Sequence, residues 1–188
     1  RDCLLSRGLG DVYKRQRLDC DHMVVSTGFA YLDVDAEDAF GWCAEAMGRI
    51  ARKAEQEGVT LAVEPFTKYT THICNEASQL RRLLRTVNSP RLTGLADTDV
   101  IATTAVDTFS TFLDVIGPEN LGHVHFVDGN PGGHLVPGDG VLDLDGALEK
   151  LKAIHYTGAL GLEVLDRRYV FAPEAAMRQA MDLSLIHI

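Results

Sequence analysis

Four short apolar runs in this chain each end in a residue that can bind a metal ion. These residues are Glu64, Asp97, His125 and Glu163, and they lie 33, 28 and 38 residues apart. Each interval has room for one β-strand, one helix and their connections, and amphipathic segments alternate with the apolar runs. Continuous apolar strands separated by helices predict a parallel β-sheet that is covered on both faces.

The spacing favours part of a (β/α)8 TIM barrel, because such a barrel of about 250 residues uses roughly 31 per strand–helix unit. About five units can be recognised, with strands predicted at residues 21–27, 59–64, 92–96, 121–127 and 159–164. The active site of a barrel forms where its strands end, so the four residues are expected to converge there. A doubly wound open sheet is the alternative, but no G-x-G-x-x-G follows a strand, which weakens a dinucleotide-binding interpretation.

Helices are predicted between these strands. Asp35 is expected to cap a helix from Ala36 to about Glu57, and Asn75 to cap Glu76–Val87. The remaining helices are predicted at residues 105–116, 143–156 and 173–181. Residues 128–141 are rich in glycine and proline and therefore form a long loop, a kind of loop that tends to be functional inside a compact domain.

Composition excludes several classes of protein. The formal charge of −9 argues against a nucleic-acid partner, and no apolar run is long enough to cross a membrane. The four cysteines have no zinc-site spacing and are expected to be free thiols, which favours a cytoplasmic location.

Both ends differ from the remainder of the chain. The strings GLGDVYKRQ and DLSLIHI resemble translated sequencing-adaptor sequence. We therefore expect residues 1–16 to be a non-native leader and residues 183–188 a non-native tail. Residues 17–182 would then be the C-terminal portion of a barrel domain whose N-terminal units are missing.

Three carboxylates and one imidazole form a hard set of ligands that favours Mn²⁺, Mg²⁺ or Co²⁺ over a thiolate-type zinc site. Each residue alone has a simpler explanation. Glu64 could be a solvated strand end, Asp97 could cap a helix in competition with Asp99, and His125 could be a core residue. Their joint occurrence at the ends of successive strands favours a metal site.

Three further polar residues are candidates for the same site. His123 and His125 point to the same side of their strand, and His123 lies deeper, so it is expected behind the ligands or in the core. Asp128 and His134 lie on or beside the long loop. Either could hydrogen-bond a polyol substrate or serve as a turn residue.

The motifs LAVEPF, SPRLTGLAD, GHVHFVDGN, HLVPGDG and LGLEV occur in this order. Together they resemble the sugar isomerase/epimerase barrels of the xylose-isomerase-like superfamily. The similarity is greatest to ketose 3-epimerases, including those that act on fructoselysine and on D-tagatose or D-psicose. It covers roughly residues 19–182.

The resemblance implies a divalent metal, with Mn²⁺ expected first and Co²⁺ or Mg²⁺ as alternatives, held by Glu64, Asp97, His125 and Glu163. The metal would act as a Lewis acid on the ketose oxygens, while Glu64 and Glu163 would remove and return the C3 proton on opposite faces. The implied partner is a small-molecule sugar, with neither nucleic acid nor membrane. Homo-oligomerisation of the complete protein stays open.

The chain departs from the family pattern at three substrate-contacting positions. Thr70 stands where the family has a glutamate, Val100 where the free-sugar epimerases have a histidine, and Pro131 where they have an arginine. An ordinary free ketohexose is therefore less well supported than the reaction class. The alternatives are a lyase resembling the inosose dehydratases, or an inactive fragment of such an enzyme. A DNA-repair endonuclease of the same fold would need more histidine ligands and a basic face.

Overall fold

The computed structural model describes residue 17 and residues 19–186, and in this part of the chain five parallel strands form one sheet. The strands are His22–Ser26 (β1), Thr60–Glu64 (β2), Leu92–Asp97 (β3), Leu121–His125 (β4) and Leu160–Gly161 (β5). Each strand pairs with the next one along the chain. A doubly wound sheet would reverse its strand order, whereas this one does not. The predicted fold class, a partial (β/α)8 barrel, is confirmed.

Helices follow the strands and alternate with them. They are Ala36–Glu57 (α1), Ala77–Val87 (α2), Thr98–Thr104 (α3), Phe109–Ile116 (α4), Leu144–Ala153 (α5) and Pro173–Ile186 (α6). The ends of α1 match the sequence prediction. Asp35 accepts hydrogen bonds from the backbone N–H groups of Glu37 and Asp38, and Gly58 ends the helix in the left-handed conformation.

The main hydrophobic core lies between the sheet and helices α1, α2, α4 and α5. Leu80 and Leu83 of α2, Phe112 of α4 and Val63 of β2 are completely or almost completely buried in it. Burying a side chain of this size stabilises the fold by about 1.5–3 kcal/mol. A smaller cluster holds α6, where Ala176 and Ala180 pack near Val136. The core therefore fixes the strands from outside and leaves their carboxyl ends free to carry polar groups.

The predicted helix at residues 105–116 begins four residues too early. Asp97 begins the separate short helix α3, which ends at Ala105 in the left-handed conformation. Helix α4 then begins after Thr108, whose side chain accepts a hydrogen bond from the Thr111 N–H. The reason is local: α3 ends at Ala105 and Thr108 caps the start of α4, so the residues between them lie outside both helices.

The predicted cap of α2 is also wrong. Helix α2 begins at Ala77, whose N–H donates to Asp107 Oδ2 at 3.1 Å. Asn75 instead donates through its side-chain amide to the carbonyl oxygens of Phe66 and Thr71. A contact from another segment has replaced the expected local one, and Asn75 holds the loop after β2.

The last two strands are shorter than predicted. Strand β4 ends at His125, because the Val127 N–H donates to the hydroxyl of Thr98 rather than to a neighbouring strand. Strand β5 comprises only Leu160 and Gly161, which pair with β4. These early ends bring the chain into loops at the edge where the polar residues lie.

The expected non-native leader at residues 1–16 lies outside the described residues, as do residues 187 and 188 of the expected tail. Cys20, Cys43 and Cys74 are free thiols, as predicted. Among the described residues, no helix is long and apolar enough to span a membrane.

Candidate metal centre and active site

The four residues singled out by their spacing lie together at the carboxyl edge of the sheet. Glu64, Asp97 and His125 are the last residues of β2, β3 and β4, and Glu163 lies two residues beyond β5. Asp97 is directly opposite His125 in the strand register. In parallel strands the carboxyl ends share one edge, so the sequence spacing becomes a single cluster.

One ligand atom from each of the four residues lies within 4.8 Å of the others. His125 is central. Its Nδ1 lies 3.0 Å from Glu64 Oε1, 3.4 Å from Asp97 Oδ2 and 3.3 Å from Glu163 Oε2. Glu64, Asp97 and His125 are buried, whereas Glu163 is partly exposed. The cluster is thus closed on the side of the sheet and open at Glu163.

The electrostatics of the cluster follow from three acids around one imidazole. Burial alone would lower the pKa of His125, but the carboxylates of Asp97 and Glu64 outweigh it and raise the pKa to about 10. Burial would likewise raise the pKa of Asp97, yet the imidazoles of His125 and His134 lower it to about 2. The protein without metal therefore balances these acids with protonated imidazoles.

Asp97 provides the test of whether a metal ion fits here. Its Oδ1 accepts hydrogen bonds from the backbone N–H groups of Asp99 and Val100, which caps α3. Its Oδ2 is buried and has no hydrogen-bond partner of ordinary geometry, although two imidazoles lie nearby. A buried carboxylate oxygen without a partner is costly, and a cation bound among these four residues would satisfy it. The residues fit a divalent metal.

The two glutamates differ in environment. Glu64 is buried and hydrogen-bonded to His125. Burial raises the pKa of Glu163, and the negative charge of Glu64 contributes to the same direction. A carboxylate with a raised pKa holds a proton more readily, as general acid–base chemistry requires. Both glutamates contact His125 Nδ1, so they face one small volume.

His123 lies two residues before His125 on β4 and is partly exposed, so its place behind the ligands stays a prediction. The two rings meet edge to face with their centroids 5.3 Å apart. Burial lowers the pKa of His123, and the neighbouring His125 adds to this effect. A Cβ at Gly161 would approach both imidazoles closely, so a glycine there leaves room for the pair.

Asp128 does not face this cluster with a free oxygen. Its Oδ1 accepts from the N–H groups of Gly129 and Leu142, and its Oδ2 from those of Gly138 and Gly140. Both oxygens are occupied by the long loop, and the side chain is buried. Of the two alternatives for Asp128, the geometry supports the turn residue over the polyol-binding residue.

His134 reaches the cluster from the long loop. Its Nε2 lies 3.2 Å from Asp97 Oδ2 and 3.6 Å from Glu163 Oε2. Its Nδ1 lies 3.1 Å from Asp99 Oδ2. Burial would lower the pKa of His134, but Asp97 and Asp99 raise it to about 10. Sequence reasoning missed Asp99 as part of this arrangement and considered it only as a competing helix cap.

Comparison with known proteins places these features in context. Residues 15–186 match the family model described as the xylose isomerase-like TIM barrel. The fructoselysine 3-epimerase of Escherichia coli O157:H7 is 27% identical over 169 residues, which cover 89% of this chain and 60% of that enzyme. This chain therefore spans about three fifths of the length of that curated relative.

Two solved structures share the fold. A D-psicose 3-epimerase determined in the presence of D-fructose has a TM-score of 0.76 at 23% identity, covering 92% of this chain and 66% of that one. The IOLI protein with a bound zinc atom has a TM-score of 0.81 at 18% identity, covering 97% and 68%. The family match extends over nearly the whole sequence and agrees with the strand order and the polar edge. This chain belongs to the family of xylose isomerase-like TIM barrels.

Proposed function

We propose that this chain provides the metal centre and the acid–base pair of a divalent-metal-dependent 3-epimerase that acts on a ketose or a derivatised ketose. The observation that carries the proposal is the convergence of Glu64 and Glu163 with Asp97 and His125 on one point. The likeness to a fructoselysine 3-epimerase supports the same reaction class.

Glu64, Asp97, His125 and Glu163 would hold the metal. Oxygen-rich ligands with one imidazole suit Mn²⁺ first, with Co²⁺ and Mg²⁺ as alternatives. A divalent cation bound there would act as a Lewis acid towards the ketose oxygens and stabilise negative charge that develops on the sugar. The partial exposure of Glu163 leaves an entry for a small molecule.

The chain's own acids would carry out the proton transfer. Epimerisation at C3 requires one base to remove the proton and a second acid to deliver one to the opposite face of the planar intermediate. Glu64 and Glu163 come from β2 and from beyond β5, and between these strands lie β3 and β4. They therefore reach the shared volume from different directions, as inversion requires.

The substrate is proposed only as a class. The family's histidine and arginine positions are Val100 and Pro131 here, and Val100 is buried. Thr70 replaces the family's glutamate, and its hydroxyl lies 3.1 Å from that of Thr67. These residues give no charged contact to a free ketohexose, which favours a derivatised ketose.

The test is exchange of the C3 hydrogen of ketoses with deuterated solvent. The protein would be stripped of metal, reloaded with Mn²⁺, Co²⁺ or Zn²⁺, and offered free and derivatised ketoses. We expect exchange and formation of the C3 epimer only with metal. Loss of water from the sugar would instead identify a lyase, and absence of exchange across the panel in metal-loaded protein would contradict the proposal.

A matched pair of variants tests the acid–base assignment. Glu163→Gln should lower the exchange rate by roughly 10²–10⁴-fold, the usual contribution of a positioned acid or base. Glu174→Gln removes an exposed glutamate whose contact is with Arg178, and it should leave the rate unchanged. Equal rates in both variants would remove Glu163 from the mechanism.

A further inference from the structure

Asp99 holds the long loop through two hydrogen bonds from backbone N–H groups and one contact with an imidazole nitrogen. Its Oδ1 accepts from the Gly132 N–H at 2.5 Å, and its Oδ2 accepts from the His134 N–H at 3.0 Å. The same Oδ2 lies 3.1 Å from His134 Nδ1. Asp99 is 1% exposed, so these contacts are shielded from water. A Cβ at Gly129 would overlap the Asp99 carboxylate, so the loop approaches as closely as a glycine allows.

This contact determines which atom of His134 faces the cluster. Asp99 Oδ2 accepts from the His134 N–H and also lies beside Nδ1, so Asp99 contacts the Nδ1 side of the ring. Nε2 is then directed at the space between Asp97 and Glu163. His134 has a φ of 49°, which is uncommon for a residue other than glycine, and the hydrogen bond from its N–H to Asp99 holds it there.

We infer that Asp99 is a positioning residue, which fixes His134 so that its Nε2 binds a hydroxyl group of the sugar beside the metal ligands. This inference rests on the proposed function, and it adds one specific contact between the protein and its substrate. The positions at which the resembling epimerases carry a histidine and an arginine are Val100 and Pro131 in this chain. A histidine from the loop therefore provides the polar contact that these positions lack.

The charges around His134 specify the chemistry of the group that it binds. Asp97, Asp99 and Glu163 all lie within 3.6 Å of its ring nitrogens. A phosphate or carboxylate on the substrate would be repelled by these three acids. A hydroxyl is neutral and can both donate and accept, so it suits Nε2 in either protonation state. The bound part of the sugar is therefore an unphosphorylated polyol.

The kinetic test compares Asp99→Ala, His134→Ala and the double variant in the metal-loaded protein, with the ketose that undergoes C3 exchange. Loss of one hydrogen bond to substrate corresponds to a roughly tenfold rise in KM, with kcat changed much less. Because Asp99 acts through His134, the double variant should have about the same KM as either single variant. Asp143→Ala removes a helix cap outside the cluster and should keep the KM of the wild type.

A second test uses NMR spectroscopy and does not depend on catalysis. In protein with ¹⁵N-labelled histidine, the Nδ1–H resonance of His134 should be protected from exchange with solvent. Asp99→Asn keeps the size of the side chain but removes the charge, and we expect this protection to be lost. An unprotected resonance in the wild type, or an unchanged one in Asp99→Asn, would overturn the positioning role.

The outcomes separate the two proposals. If the wild type exchanges the C3 hydrogen but His134→Ala keeps its KM, the inference fails and the proposed function stands. Fully additive effects of the two alanine substitutions would show that Asp99 acts independently of His134, which also overturns it. If no ketose exchanges, the proposed function and the substrate contact both fail, while the resonance of His134 still decides the positioning role.

Discussion

Asp97 and Asp128 are buried aspartates at neighbouring positions of the same sheet edge, yet their surroundings are opposite. Asp97 ends β3, and Asp128 lies three residues beyond the end of β4. Asp128 accepts four backbone hydrogen bonds, two on each oxygen. Asp97 accepts two on Oδ1, whereas its Oδ2 has no partner of ordinary geometry.

The difference in hydrogen bonding indicates that Asp128 has a structural role and that Asp97 is available for metal binding. Four N–H donors compensate the buried charge of Asp128, so this residue holds the glycine- and proline-rich loop. Asp97 keeps one oxygen without such compensation, and that atom faces His125 and His134. A buried carboxylate with an oxygen that accepts no hydrogen bond is suited to bind a metal ion. A buried carboxylate whose two oxygens are both hydrogen-bonded instead holds its loop in place. The same substitution at both positions tests this distinction.

The largest effect is expected for Asp97→Asn, because it removes a ligand charge while the amide oxygen can still cap α3. At a metal concentration 100-fold above Kd, binding stabilises the wild type by about 2.7 kcal/mol. We expect this metal-dependent increase in the free energy of unfolding to disappear. Exchange at C3 should fall with it by at least about 10²-fold. Thermal unfolding with and without Mn²⁺ measures the first quantity.

A stability in the absence of metal close to that of the wild type would show that Asp97→Asn leaves the fold intact. If the variant were still stabilised by metal to the full extent, Asp97 would not be a ligand.

Asp128→Asn should change the free energy of unfolding by a similar amount without a loss of activity of the same size, and it should weaken the fold itself rather than metal binding. The amide nitrogen would face two backbone N–H groups, which leaves buried donors unpaired at about 1–3 kcal/mol each. We expect a loss of roughly 3 kcal/mol in the free energy of unfolding, measured by urea denaturation without metal. The surviving folded protein should still gain stability from Mn²⁺. A stable Asp128→Asn that no longer responds to metal would reverse the assignment of the two residues.

The positions of Glu64, Asp97, His125 and Glu163 could be predicted because they depend on patterns between residues that are near one another in the sequence. Apolar runs define the strands, their spacing defines the units, and parallel strands bring their carboxyl ends to one edge. The cap of α1 was predicted for the same reason, since Asp35 bonds only to the residues that follow it. The roles of these residues in metal binding and proton transfer stay predictions.

The features that sequence reasoning missed depend on contacts between distant segments. The N–H of Ala77 is satisfied by Asp107, which lies 30 residues away, so the expected cap Asn75 was free to hold a different loop. Asp99 contacts His134 across 35 residues. The sequence offers only an Asp-x-Asp at a strand end as a signal, and this pattern is equally typical of a helix cap.

The smallest predicted effect, about 1.4 kcal/mol for each pH unit, concerns the competition between metal and protons. In the protein without metal, His125 has a pKa of about 10, above its ordinary value of 6.5. Its pairing with the acids therefore stabilises the fold fully below about pH 6.5, and this contribution is lost as the pH rises through about 10. Metal binding requires the proton on Nδ1 to leave, so it has the opposite trend.

For one proton released, the apparent affinity for Mn²⁺ should rise about tenfold per pH unit in the neutral and mildly alkaline range, and level off near pH 10. Calorimetry in buffers of different ionisation enthalpy counts the protons. Asp128→Asn should keep the slope of the wild type, because its carboxylate does not contact His125. Asp97 has a pKa of about 2, so it is already ionised and adds no proton of its own. A slope of zero in the wild type would mean that His125 is not displaced from its acids by the metal, and the four residues would then form an ion-pair cluster alone.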